Sequence, residues 1–215
     1  AINSEQERAE GYLEYGKIFY QRYLQNGDPV HISDAREQLD RAILIQPSLY
    51  EAYVVAAGFD LLQNDYYSAG EKLMQARSYA PANVSVAYNL ALVSEKTGNL
   101  AQAEALYNAA LSVFPDMPLL IARYENHLVD NEYRFGSPAR KKYSDYHYDL
   151  YRKNSQESLP DYALMHLRLT LLMDPLAIEA RRELANYYKV LGYGSFYISQ
   201  LKNIERMEPS QQNRD

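Results

Sequence analysis

The chain has 215 residues, 47% of them hydrophobic and 23% charged, the balance of an ordinary folded protein. Its net charge of -6 gives no support to general binding of DNA, RNA or an acidic membrane. With no cysteine and no apolar run of about 18 residues, disulfides, thiolate zinc sites, cysteine nucleophiles and membrane-spanning helices are excluded.

Helical patterning and its punctuation predict eleven helices. The first, over 5–25, opens on Ser4-Glu-Gln-Glu7, which reads as a capping box, and stops at Asn26-Gly27-Asp28-Pro29. Helix 33–46 ends before Pro47, and Ser48-Leu-Tyr-Glu51 reads as a second capping box opening 49–63. Helix 66–79 ends before Pro81, and Asn83 reads as the cap of 83–97 rather than as a glycosylation acceptor in Asn83-Val-Ser85. Gly98 turns the chain into 100–113, which Pro115 closes. Helix 117–131 follows, then 138–154 opened by Ser137 as cap and Pro138 at the first helical position, then 160–173 before Pro175. The last two, 176–191 and 194–207, are joined at Gly192 and closed by Pro209.

Those prolines carry a period. Pro47, Pro81 and Pro115 are 34 residues apart, as are Pro175 and Pro209. Proline cannot continue a helix, so each one ends an amphipathic stretch and starts a link. Upstream of each lies a trio at helical spacing: Ala35, Leu39, Ala42; Ala69, Leu73, Ala76; Ala103, Tyr107, Ala110; and more weakly Ala163, Leu167, Thr170. Steps of four and three put each trio on one face, where small residues admit a neighbouring helix closely. The last trio, Tyr197, Leu201 and Ile204, is bulky throughout, as fits a terminal repeat.

This pattern resembles the tetratricopeptide repeat family, whose 34-residue helix–turn–helix units carry small and aromatic residues at these offsets and a closing proline. Residues 84–117 match best, through Leu90, Ala91, Gly98, Ala103, Tyr107, Ala110 and Pro115. The resemblance implies an all-α helix-pair solenoid, wound as a right-handed superhelix, as a single array over 1–215 with units ending near Pro47, Pro81, Pro115, Pro175 and Pro209. From Pro115 to Pro175 is 60 residues rather than a multiple of 34, so segment 116–160 reads as an irregular central insertion, either carrying a function of its own or a degenerate repeat that bends the superhelix.

Within the insertion, residues 132–154 hold six Lys/Arg against three Asp/Glu, interleaved with Tyr133, Tyr143, Tyr146, Tyr148 and Tyr151. Arg140, Lys141, Lys142, Tyr146 and Tyr148 are candidates for partner contact there. A solvated face with tucked tyrosines, an acidic protein partner and single-stranded nucleic acid are alternative readings, in that order of preference. The whole chain is tyrosine-rich, with 22 Tyr, 5 Phe and no Trp. Half-buried packing and a recognition surface both account for that choice.

Chemistry finds no foothold. His31, His127, His147 and His166 lie far apart with no metal-ligand spacing, and Asp145 and Asp149 share a helix face that His147 does not. Gly192-Tyr-Gly194 lacks the context of a phosphate loop. Neither a cofactor nor an enzymatic activity is expected.

The resemblance implies instead that the first helix of each pair lines a concave groove for peptides or helices, with Tyr88, Asn89, Leu92, Arg123, Asn126, Arg182, Asn186 and Lys189 facing it. A subset of the family clamps C-terminal carboxylates with two Lys, two Asn and an Arg. At the corresponding positions Val54, Gly58 and Leu119 depart from that set and only Asn89 and Arg123 agree, so chaperone docking of that type is not expected. The expected role is a scaffold or adaptor that binds another protein or peptide within a larger assembly, such as a bacterial envelope machine. A small-molecule or lipid binder whose cavity is closed by the insertion is the alternative. The compartment stays open, with the periplasm preferred to the cytoplasm, and the apolar helix 194–207 suggests self-association or a further domain.

Overall fold

The computed structural model describes residues 2–131 and 133–208. Among them eleven helices and no strand are found. They fall into two compact units, with the division between Tyr124 and Glu125.

The first unit contains α1 (Ile2–Asn26), α2 (Pro29–Ile45), α3 (Tyr50–Leu62), α4 (Tyr66–Tyr79), α5 (Val84–Lys96), α6 (Leu100–Val113) and the first half of α7 (Pro118–Asp130). Helices pair in sequence order, α1 with α2, α3 with α4 and α5 with α6, and each pair packs on the next. The pairing follows from the small-large-small faces. Ala35, Leu39, Ala42, Ala69, Leu73, Ala76, Ala103 and Tyr107 are all 0% exposed, which identifies them as the seam between helices. Each fully buried leucine there contributes roughly 1.5–3 kcal/mol.

The prolines act as read. Helices α2, α4 and α6 end two residues before Pro47, Pro81 and Pro115. The residue between adopts an extended φ of -134°, -134° and -126°, as a pre-proline position requires. Its N–H still donates to the helix, Gln46 to Ala42, Ala80 to Ala76 and Phe114 to Ala110. Asp28, Asp65, Asn83 and Asn99 cap the N-termini by accepting from Val30, Ser68, Val86 and Gln102. Gly98 and Gly192 turn the chain at φ +78° and +75°, the left-handed region where a β-carbon is unwelcome.

Three expectations at helix starts are corrected. Ser4 lies inside α1, which is already helical at Ile2. Ser48 caps nothing: the N-cap of α3 is Leu49, which makes no side-chain cap bond. The reason is a tight turn, in which the Leu49 N–H donates to the Gln46 carbonyl at 3.0 Å, burying Leu49 to 8% exposure and leaving Ser48 outside. Helix α2 also begins four residues earlier than predicted, because Pro29 takes the first helical position behind the Asp28 cap.

The second unit holds the rest of α7 with α8 (Pro138–Gln156), α9 (Pro160–Met173), α10 (Ile178–Val190) and α11 (Gly194–Met207). Ser137 caps α8 by accepting from the Arg140 N–H, with Pro138 at the first position. Helix α8 buries Arg140, Tyr143, Ser144, His147 and Tyr151 against α9, whose Ala163, Leu167 and Thr170 are sealed in. Helix α10 buries Ala180, Leu184, Ala185 and Tyr188. Helix α11 differs: it has no buried residue, and Phe196, Ile198 and Leu201 are exposed. Pro209 and the tail after it lie outside the described residues. None of the described helices is long and apolar enough to cross a membrane.

Candidate partner-binding surfaces

The first helices of the pairs in the first unit carry two neighbouring clefts. One, of about 440 Å³, lies between α1, α3 and α5, with Lys17, Tyr20, Val54, Gly58, Leu61 and Asn89 among its walls. The other, of about 220 Å³, lies between α5 and α7, where Tyr88 and Asn89 face Met117, Leu119 and Leu120. Asn89 belongs to both. The walls are mainly aliphatic with a few polar groups, a composition that suits an apolar segment oriented by hydrogen bonds.

Of the residues expected to face a groove, Tyr88 and Asn89 line these clefts. Leu92 is half-buried on the same helix, one turn further on. Arg123 is committed elsewhere. Its guanidinium pairs with the carboxylate of Glu95 and donates from Nε to Tyr107 Oη at 3.3 Å. Burial, and next the Glu95 carboxylate, push the Tyr107 hydroxyl well above its ordinary value, so Tyr107 stays a neutral partner. Asn126, Arg182, Asn186 and Lys189 belong to the second unit and are exposed. Arg182 pairs with Glu179 at 3.2 Å and Glu208 at 2.6 Å, and Lys189 lies over the Tyr197 ring.

The insertion candidates divide sharply. Lys141 and Lys142 are exposed, Lys141 pairing with Asp145 at 3.0 Å. Tyr146 is 38% exposed, and Tyr148 is half-buried against Tyr151. Arg140 is a correction: it is 3% exposed and serves as an internal clasp rather than a surface contact. It donates from Nε to the Met173 carbonyl at 2.8 Å, from Nη1 to the Tyr133 carbonyl at 3.2 Å, and from Nη2 to the Leu172 carbonyl. Two of these carbonyls end α9, where the helix dipole favours a cation. Burial holds the Arg140 pKa below its ordinary value, partly offset by Asp174.

A polar chain in the second unit was not foreseen. His147 Nδ1 lies 3.0 Å from His166 Nδ1, and His147 Nε2 lies 2.8 Å from Glu125 Oε1, an ion-pair contact outside hydrogen-bond angles. The three come from α7, α8 and α9 at wide separation, so no local motif announces them. The one available signal is that His147 shares the buried stripe of Tyr143, Ser144 and Tyr151. Glu125 meets the far nitrogen of His147, so the arrangement is a line rather than a chelate, and no described group of three ligand-type residues holds a metal. Burial, then Glu125 and Tyr146, push the Tyr143 hydroxyl up to about 12.

No family model matches the sequence, and no curated protein does. Solved structures do match the fold. YrrB, described as a TPR protein with an unusual peptide-binding site, superimposes with a TM-score of 0.52 over 99% of this chain and 92% of its own, at 16% identity. The fold is that of the tetratricopeptide repeat. The APC/C hetero-tetramer Cut9-Hcn1 gives a TM-score of 0.51 at 16% identity, over 95% of this chain, which spans only 41% of the chain it matches. At such identity the likeness concerns the tetratricopeptide fold alone. It agrees with the 34-residue prolines and the sealed small-large-small faces.

Proposed function

We propose that this chain is a protein-interaction scaffold, and that the paired clefts of its first unit receive a segment of another protein. The observation that carries this is Asn89. It stands between an aliphatic cleft on α1 and α3 and a second one on α7, so one amide serves both. A helix or extended peptide laid there would bury apolar side chains in both clefts and bond its backbone or a polar side chain to that amide. The structural likeness to a protein described as peptide-binding is in keeping with this reading.

The clamp for carboxyl termini does not suit these walls. Val54 and Gly58 line the cleft where a lysine and an asparagine would be needed. The partner is therefore read as an internal or amphipathic segment. We place the scaffold within a larger assembly, for which a cell-envelope machine is the working setting, and assign the uncovered apolar side of α11 to a second copy of the chain. Sedimentation showing a monomer at every concentration removes that last assignment.

The groove is tested on a partner identified by crosslinking from the native extract. Its affinity for the wild-type chain is compared with that for Tyr88→Ala combined with Asn89→Ala. A loss of about tenfold or more, with helical content unchanged, is expected. Equal affinity removes the groove from the proposal.

A further inference from the structure

Tyr20 of α1 and Gly58 of α3 share the wall of the larger first-unit cleft, of about 440 Å³. The Tyr20 ring stands edge-on to Phe59, with centroids 4.6 Å apart and planes at 89°. Phe59 is 0% exposed, so this gives the ring a fixed seat. The Tyr20 hydroxyl lies across the bare backbone of Gly58, where a β-carbon would stand 3.2 Å from Tyr20 Oη and 3.4 Å from the ring. Any larger residue at 58 would crowd that hydroxyl or fill the hollow beside it. The hydroxyl makes no hydrogen bond to another described residue and is not sealed in, so solvent alone can serve it. Burial raises its pKa above the ordinary value, so it stays a neutral donor and acceptor. Among the described residues Lys17 is the one charged group on these walls, and it is paired with Glu14 at 2.6 Å. The cleft is thus an electrically neutral hollow with one unspent hydroxyl in its wall.

We propose that this cleft is the anchor pocket of the groove, and that the residue it takes from the partner segment is a tyrosine. The incoming ring lies over Gly58 between Val54 and Leu61, and its hydroxyl bonds Tyr20 Oη. The inference rests on the protein-binding reading above and names the side chain that the groove selects. Complementarity of charge and hydrogen bonding decides the occupant. A carboxylate would lose its water against aliphatic walls and find Lys17 already paired. A lysine or arginine would meet Lys17 as a like charge. A leucine or phenylalanine would fill the hollow but strip solvent from the Tyr20 hydroxyl with nothing in exchange. A tyrosine offers an apolar body together with a hydroxyl at its tip, and so serves both.

The test is an NMR titration of the isotope-labelled full chain with neutral single-residue probes, at up to about 10 mM. The probes are N-acetyl-tyrosine amide, N-acetyl-phenylalanine amide and N-acetyl-leucine amide. The tyrosine probe is expected to bind most tightly and to shift the amide signals of Val54, Gly58 and Leu61. Tyr20→Phe should weaken the tyrosine probe about threefold or more while leaving the phenylalanine probe unchanged. Gly58→Leu should fill the hollow and abolish binding of both. Tyr20→Phe removes only the hydroxyl, so it keeps the test valid even where Gly58→Leu disturbs α3. The proposal is overturned if no probe shifts those signals, or if the phenylalanine or leucine probe binds as well as the tyrosine one. It is equally overturned if Tyr20→Phe affects the tyrosine and phenylalanine probes alike. If a crosslinked partner loses affinity with Tyr88→Ala plus Asn89→Ala but not with Gly58→Leu, the anchor pocket falls while the groove stands.

Discussion

A β-carbon placed on Gly16 of α1 would stand 2.7 Å from Leu39 Cδ2 and 2.8 Å from Leu39 Cγ on α2. Leu39 is 0% exposed and held on all sides, so it cannot swing away. Gly16 is thus a point of close approach between these two helices. Gly16→Ala adds helix propensity worth about 1 kcal/mol but overpacks a sealed seam at a cost of roughly 1–3 kcal/mol, so a net loss of stability is expected. Gly11 is on the same helix with nothing within 4 Å of its added β-carbon. Gly11→Ala should therefore stabilise by roughly 0.5–1 kcal/mol. Urea melts of the two variants decide the matter, and a gain for both would mean that the α1–α2 seam yields.

The His147–His166 contact sets a pH response in the second unit. The two Nδ1 atoms are 3.0 Å apart, so one must donate and the other accept, and a proton on both leaves two donors face to face. Burial, and then the neighbouring His147, hold the His166 pKa below its ordinary 6.5. The unfolded chain therefore takes up this proton first as pH falls. The folded state loses relative stability from about pH 6.5 downward, and the loss is complete once His166 also charges in the folded state. Thermal melting should show a Tm that falls between neutral pH and about pH 5.5, with a smaller fall in His166→Gln. Identical pH profiles for the two proteins would count against the assignment.

Asp60 gives a non-additive prediction. Its carboxylate is 2% exposed and accepts from Arg36 Nη2 at 2.9 Å and Lys72 Nζ at 2.6 Å. Removing either cation leaves the other in place, so Arg36→Ala or Lys72→Ala should cost about 1 kcal/mol. Removing both strands a buried charge, at a cost of about 3–5 kcal/mol, well beyond the sum. In an Asp60→Asn background the excess should vanish. A double-mutant cycle in urea measures the excess directly.

Much of the fold was legible because its signals are local and repeated. The prolines, the trios ending in Ala42, Ala76 and Ala110, and the caps at Asn83 and Ser137 each report on a few neighbouring residues. The misreadings came where a local rule met a tertiary demand. Ser48 fits a capping box, yet packing draws Leu49 into the core and makes it the cap. The clefts around Asn89 depend on spacing between helices, which periodicity along one helix does not encode. The Glu125–His147–His166 line is likewise a product of packing across three helices. Arg140, by contrast, was readable. It shares the stripe of Tyr143, Ser144, His147 and Tyr151, and a helical count separates it from Lys141 and Lys142, with which composition had grouped it.

That separation yields a contrast between adjacent residues. Arg140 supplies donors to the Met173, Leu172 and Tyr133 carbonyls, tying the end of α9 to the start of α8 and the segment before it. Arg140→Met keeps the bulk but removes every donor, so one buried and two part-buried carbonyls lose their partner at an expected cost of roughly 2–4 kcal/mol. Arg140→Lys keeps the charge but not the planar fork, and its loss should be intermediate. Lys141→Ala and Lys142→Ala touch exposed side chains and should change stability by no more than about 0.5 kcal/mol. Urea denaturation of the full chain, followed by circular dichroism, orders the four variants. If Arg140→Met melts with the lysine variants, the clasp has no energetic role. If it melts far earlier, three consecutive cations in the sequence divide into one that builds the second unit and two that face outward.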